Sequence, residues 1–240
     1  MQNIEELNVK KLNIEELLNK FSNEVLTAAR AFYVWKSIDK MAGDDLVHQG
    51  INNQALVWNI IKHSLQTTSL IVLGRIFEHD NRSLTIHTLL KKCITEVAQF
   101  GPDALRARKI RAARGADMPW LDLYIADAQS PTEDDFIELQ NAVEQFQERY
   151  TLIYKRIRNK YLAHTDIEEM NNINEVYAQT DINDIQAMFE CLYQTSKVLD
   201  RWFDDGKKTD LSDHEINEEA VVFEEVKKLM AQIKRITIDS

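Results

Sequence analysis

Three prolines and six glycines among 240 residues leave this chain short of turn punctuation. Scarcity of those residues predicts a few long elements and argues against a fold of many short strands. The two cysteines, Cys93 and Cys191, lie far apart inside helical patterns. They exclude a disulfide framework, and each reads as a small buried hydrophobe. No apolar run reaches the about 18 residues that a membrane-spanning helix needs. The N-terminal stretch MQNIEELNVKKLNIEELL is charged throughout, unlike a secretory signal. A cytoplasmic location without a membrane partner is the expectation. Gly-rich phosphate loops, HExxH, Cys or His pairs at zinc spacing, the Glu-x-x-His pairs of di-metal bundles and a nucleophile elbow are all missing. These absences predict a function without cofactor or metal.

What is present is helical periodicity. Leu17, Phe21, Val25 and Ala28 share one face of a helix predicted over residues 13–40. Gly43 and Gly50 bracket an expected loop. Residues 52–78 are the most apolar segment, with Leu56, Trp58, Ile61, Leu73, Ile76 and Phe77, and read as the central buried helix. Ser83 is the expected N-cap of the next helix. From Phe136 through Leu139, Val143, Phe146, Tyr150, Ile153 and Ile157 to Tyr161, the steps are 3, 4, 3, 4, 3, 4, 4. That pattern predicts one α-helix of roughly 30 residues. Another helix begins near Ile182, with Ile185, Met188, Phe189, Leu192, Val198, Leu199 and Trp202 inward and Gly206 as its breaker. The expected fold is all-α, an antiparallel bundle of long helices with short inserted ones. Residues 1–205 form the bundle. Residues 206–240 supply an acidic linker and a C-terminal amphipathic helix, as part of the same domain or as an arm.

The formal net charge is −10. Such a balance opposes non-specific coating of nucleic acid, yet a phosphate feels mainly charges within about 8–10 Å. Against that background, YKRIRNKYLAHTD (residues 154–166) gathers Lys155, Arg156, Arg158 and Lys160 ahead of His164. A basic helix C-terminus complements the helix dipole and accounts for Lys155, Arg156 and Lys160. It leaves Arg158, Asn159 and His164 unexplained. Arg158 adjoins the seam residue Ile157 and so lies on the flank of the apolar stripe, while the Asn159 amide can hold Arg158 or a phosphate oxygen. Arg158 and His164 are six residues apart. On a continuous helix they would diverge by about 120° and ~9 Å. Either the helix ends near residues 161–162 and His164 folds back, or two chains assemble the site. A second basic cluster, Arg106, Arg108, Lys109, Arg111 and Arg114, spreads round its helix and reads as a solvated face, with a surface that guides RNA as the alternative.

The stretch RNKYLAH resembles the R-φ-x(3–6)-H motif of HEPN domains, where φ is polar: Arg158, Asn159 and His164 take its three places. The longer IRNKYLAHTD, together with LIVLGRIFEHDNRSLTIHTLLKK at 70–92, is similar to the abortive-infection-associated (AbiU2-like) branch of that superfamily. The likeness covers roughly residues 15–205. It implies a metal-independent endoribonuclease of a toxin–antitoxin or phage-defence system, with RNA as substrate, a homodimer as the working form and an antitoxin protein as a further partner. Arg158 and His164 are then catalytic, with Asn159, Lys160, Asp166 and Lys155 binding or supporting. Toxins paired with a nucleotidyltransferase antitoxin carry a tyrosine two residues after the histidine. Asp166 occupies that place here, so silencing by adenylylation there is not expected. Asp166 either orients His164 or ends the helix. The alternative function is a non-catalytic HEPN-like module for protein interaction or ligand binding, with the C-terminal helix as a docking element.

Overall fold

A computed structural model describes residues 12–80, 82–159, 178–214 and 217–238; among these every regular element is helical and no strand occurs. The fold is all-α. Its helices are α1 (Ile14–Met41), α2 (Asp45–Asn53), α3 (Ala55–Phe77), α4 (Ile86–Thr95), α5 (Pro102–Ala113), α6 (Leu121–Ala126), α7 (Glu133–Arg149), α8 (Lys155–Ile157), α9 (Ile182–Asp200) and α10 (Glu218–Ile238). The described residues fall into two compact units. Unit one draws on Met1–Asn23, Arg75–Tyr150 and Glu190–Glu215; unit two draws on Glu24–Gly74, Thr151–Phe189 and Ile216–Ser240.

In unit one, aromatic rings meet edge to face. Phe100 lies 5.0 Å from Phe136 and 5.4 Å from Phe203, and Phe136 lies 5.2 Å from Trp202. Leu105, Leu121 and Ile125 form a smaller apolar cluster beside them in sequence. The basic residues of α5 divide: Arg111 and Arg114 are exposed, as a solvated face requires, while Arg106, Arg108 and Lys109 are half-buried. The Arg108 guanidinium sits 3.7 Å from the Phe203 ring centroid and donates to the carbonyls of Gln99 and Phe203. Arg106 pairs with Asp122 at 2.6 Å, Arg111 pairs with Glu15 at 2.9 Å, and the Lys109 ammonium lies over Tyr124. Only Leu105 of α5 is buried, so these pairings lie at the margins of an otherwise exposed helix.

Side-chain caps set several helix starts. Asn13 and Glu16 exchange side-chain bonds to each other's N–H at the start of α1. Thr132 and Asp135 do the same at α7. At α4 the cap is Thr85, paired with Thr88, and not Ser83; Ser83 offers its carbonyl to the Thr88 hydroxyl at 2.9 Å. A threonine three residues further on completes a reciprocal box only for Thr85.

In unit two, Phe32 packs against Tyr33, Trp35 and Phe189. The segment after Asp44 is a helix, not a loop. Asp44 caps α2 by accepting from the N–H groups of Leu46 and Val47. Gly50 is buried within that helix, where α10 crosses it: a Cβ there would stand 2.4 Å from Ile233 Cγ2. The glycine serves close helix packing and does not mark a turn. Helix α10 buries Val222, Val226 and Met230. It is also tied by Glu218 to Arg30, Glu219 to Lys36 and Lys234 to Asp44. Exposed pairs of this kind contribute about 0–1 kcal/mol each, so the apolar face is the main hold.

Helix α3 departs from the expectation of a central buried helix. Leu73, Ile76 and Phe77 are buried, but Leu56 is 75% exposed, and Val57, Ile60 and Ile61 also face outward. Apolar composition identifies a surface that can be buried; it does not supply the partner.

The seam helix forms with one irregularity. Phe136, Leu139 and Val143 are buried as predicted, but at the next turn Gln147 is inward and Phe146 only half-buried. Gln147 Nε2 donates to the Phe77 carbonyl at 2.9 Å, which satisfies the buried amide. A π-turn, Tyr150–Tyr154, then links α7 to α8. Its i→i+5 bonding accommodates one more residue than an α-turn, and both Ile153 and Tyr154 are buried within it. Helix α9 ends in a second π-turn, Arg201–Asp205, stopped by Gly206 at φ 61°.

Near the end of α9, burial pushes the Asp200 carboxyl up to about 6; Lys197 at 3.6 Å opposes this and Asp204 reinforces it. The folded chain therefore binds this proton more tightly than the unfolded chain. The stabilising contribution is full below about pH 3.8 and is lost as pH rises through about 6. Asp200→Asn is expected to raise Tm at pH 7.5, with the gain shrinking to nothing near pH 4. Thermal melts of both proteins across that range check it.

Candidate functional site

The site suggested by the sequence lies where α8 runs on into residues 158–159, which remain helical. Lys155 and Arg156 are exposed, Ile157 is buried, and Arg158 and Asn159 are half-buried. The flank position predicted for Arg158 is the one it occupies: the apolar side of the helix anchors in the core and leaves the next residue at its margin. Arg158 Nε donates to Asn159 Oδ1 at 2.9 Å. One edge of the guanidinium is thereby oriented by its neighbour. Arginine presents its N–H donors in a rigid planar fork, so a bond at Nε sets the plane of the whole group. Lys160, His164 and Asp166 lie outside the described residues.

Tyr154, which the seam pattern misses, fixes the base of this region. Its hydroxyl donates to the Asp181 carbonyl at 2.8 Å and receives the Asp181 N–H at 3.0 Å. Asp181 Oδ1 accepts from Asn183 N–H at 2.8 Å and starts the first turn of α9. A buried phenol thus ties the end of the π-turn to the start of α9, and the chain between them carries the motif histidine. The signal was present in the sequence: Tyr154 stands four residues after Tyr150 and three before Ile157, spacings that share one helix face, but the predicted seam runs through Ile153 instead.

The other candidate chemistry is absent from this region. Cys93 and Cys191 are buried, and burial raises both thiols, that of Cys191 to about 11, so neither supplies a thiolate at neutral pH. His79 and His87 stack at 4.2 Å in unit one, and burial lowers the pKa of His87. Stacking with a second imidazole disfavours charge on both rings at once. Among the described residues, no group of three or more His, Cys, Asp or Glu is placed to hold a metal ion. No helix there is long and apolar enough to cross a membrane.

Comparison with curated proteins and with solved structures gives no match. A family model does match: the HEPN family described as AbiU2 aligns with residues 11–195, most of the chain, and includes α1 through the greater part of α9. The matched span contains the oriented Arg158, Asn159 and the sequence position of His164. The all-α fold, the half-buried arginine at the margin of the seam helix and this match together place the chain in the AbiU2 family of HEPN abortive-infection modules.

Proposed function

We propose that this protein is a metal-independent endoribonuclease acting in abortive infection, in a toxin–antitoxin or other phage-defence setting, with a composite Arg158/His164 site at a homodimer interface. The observation that carries the reading is Arg158, held by Asn159 at the margin of the seam helix in a chain of the AbiU2 family. A guanidinium so oriented suits bidentate capture of a phosphodiester and stabilises charge growing on its oxygens. An imidazole near its ordinary pKa of about 6.5 can take the proton of a ribose 2′-hydroxyl. The 2′-oxygen then attacks the adjacent phosphorus and the 5′-oxygen leaves, taking a proton from a second imidazole. RNA supplies the nucleophile, so the reaction requires no metal. Two-fold symmetry brings a second motif, hence a second imidazole, into one cleft.

The test uses purified protein in EDTA on an RNA strand and on the same strand with one 2′-deoxy position. Cleavage of the first, with a cyclic phosphate or its hydrolysis product at the new end, and none at the deoxy position is the expected result. A requirement for divalent metal, or cutting at the deoxy position, rejects the mechanism. A dimer in sedimentation at the assay concentration is part of the same expectation. The sequence argument for a docking helix no longer favours the non-catalytic alternative, because α10 packs on α2 of its own chain. That alternative is the outcome if the folded protein leaves every RNA intact.

A further inference from the structure

Unit two contains a cavity of about 190 Å³ that opens beside the motif helix and that the proposed cleavage chemistry does not use. Its walls include Phe32, Trp35, Tyr154 and Ile157, and its polar edge includes His63 and Gln66. Ile157 immediately precedes Arg158, so the cavity wall and the phosphate-binding arginine are neighbours on one helix, about 3.8 Å apart between Cα atoms.

We propose that this cavity receives one unpaired nucleobase of the RNA whose phosphate Arg158 holds; the inference rests on the nuclease reading and names how that site grips its substrate. Size comes first. The volume falls below the about 300–1,000 Å³ typical of pockets for drug-sized ligands, so the occupant is a group no larger than a ring system. Shape and chemistry follow. Phe32 and Tyr154 are fully buried and form a fixed floor, with Trp35 set edge-on to Phe32 at 5.9 Å and itself half-buried, so one part of its indole remains for stacking. Single-stranded RNA is recognised by just this combination, an aromatic face under a base and hydrogen bonds to its edge.

The polar groups sort themselves by their commitments. Tyr154 spends its hydroxyl on Asp181, and Ser69 donates to the Leu65 carbonyl at 2.8 Å. Gln66, one turn before Ser69 on α3, forms no hydrogen bond with another described residue, and neither does His63. An amide carries a donor and an acceptor side by side, the pairing that a base edge presents in return. His63 lies three residues before Gln66, on the same face of α3 and closer to solvent. Exposed Lys155 and Arg156 lie on the turn before Arg158, where flanking phosphates of an extended strand would pass. An aliphatic occupant would leave the Gln66 amide without a partner and lacks any use for those charges.

The experiment uses the His164→Ala full-length protein, so that RNA binds without being cut, and a 2′-O-methyl tetranucleotide series that varies one base at a time. Binding is followed by tryptophan fluorescence. The expected result is saturable quenching that depends on one base position. Trp35→Phe removes that quenching while the strand still binds by anisotropy. Gln66→Ala weakens binding by at least fivefold and flattens the difference between bases. Circular dichroism confirms that both variants are folded. Equal affinity and equal base dependence for Gln66→Ala and its parent overturn the proposal, as does quenching unchanged by Trp35→Phe. The two readings fail separately: wild type that cleaves RNA with no base dependence retains the nuclease and loses the cavity, whereas base-dependent binding by a protein that never cleaves retains the cavity and loses the nuclease.

Discussion

Replacing His164 by alanine is expected to lower RNA cleavage at neutral pH by about 10²–10⁴-fold, the usual contribution of a positioned general acid or base. Arg158→Ala should fall in the same range, because it removes the group that holds the phosphate and balances its developing charge. The more informative variant is Arg158→Lys. It keeps the positive charge but loses the planar fork and the bond that Arg158 Nε makes to Asn159 Oδ1 at 2.9 Å. If orientation matters as the geometry indicates, Lys restores little of the activity lost in Arg158→Ala. Asn159→Ala leaves the guanidinium in place without its orienting partner, so a smaller loss confined mainly to kcat is expected. With one imidazole as base and another as acid, the pH–rate profile is bell-shaped. Wild-type rates in His164→Ala, or full activity in Arg158→Lys, would remove these side chains from the chemistry. Gel assays on one synthetic RNA, with circular dichroism on each variant, supply the measurement.

The largest expected loss of stability away from the site comes at Gly206. This residue ends the second π-turn at φ 61°, a conformation that L-residues adopt at a cost of roughly 1–2 kcal/mol. A Cβ there would also stand 2.5 Å from Leu105 Cδ2 and 3.0 Å from Ala128 Cβ. Leu105 is itself buried against Leu121 and Ile125 and has no free direction in which to turn. The Gly206 carbonyl accepts from Gln129 N–H at 2.7 Å, so the backbone is held as well. Overpacking of this kind costs about 1–3 kcal/mol. The sum, less the gain of about 0.4–1 kcal/mol from a stiffer unfolded chain, is a loss of roughly 1–4.5 kcal/mol for Gly206→Ala. For a chain of this length each kcal/mol lowers Tm by about 2–4 °C. Gly115 provides the control. Its φ is 89°, but a Cβ there meets nothing within 4 Å. Gly115→Ala therefore carries the backbone term alone and should lose clearly less. Equal losses in the two variants would show that contact with Leu105 contributes nothing.

The helices themselves were legible in the residues. Leu17, Phe21, Val25 and Ala28 repeat at helical spacing and are buried; so are Ile185, Met188, Phe189, Leu192, Val198, Leu199 and Trp202 on α9. Gly206 marked where the helix that begins near Ile182 breaks off, and there the second π-turn ends. Within the candidate site, the position of Arg158 beside Ile157 followed from the seam, and the pairing with Asn159 was one of two partners its amide allowed. Tyr154 was missed because the predicted seam runs through Ile153, although it stands four residues after Tyr150 and three before Ile157; its bonds to Asp181 could not be read from spacing at all.

What the sequence determined by itself is the helical class, the inward stripe of the long helices and the flank on which Arg158 stands. These depend on local spacing along one chain, which 3.6 residues per turn converts directly into faces. Only tertiary structure decided that Gly50 is a crossing point and not a turn, that the first half of α3 is exposed except at Trp58, that Arg108 of α5 lies over Phe203, and that Trp35 and Gln66 share a cavity with the motif helix. Each of these depends on which surface comes to meet a face. Burial, pairing and enclosure belong to two segments at once, so the spacing within either one cannot state them.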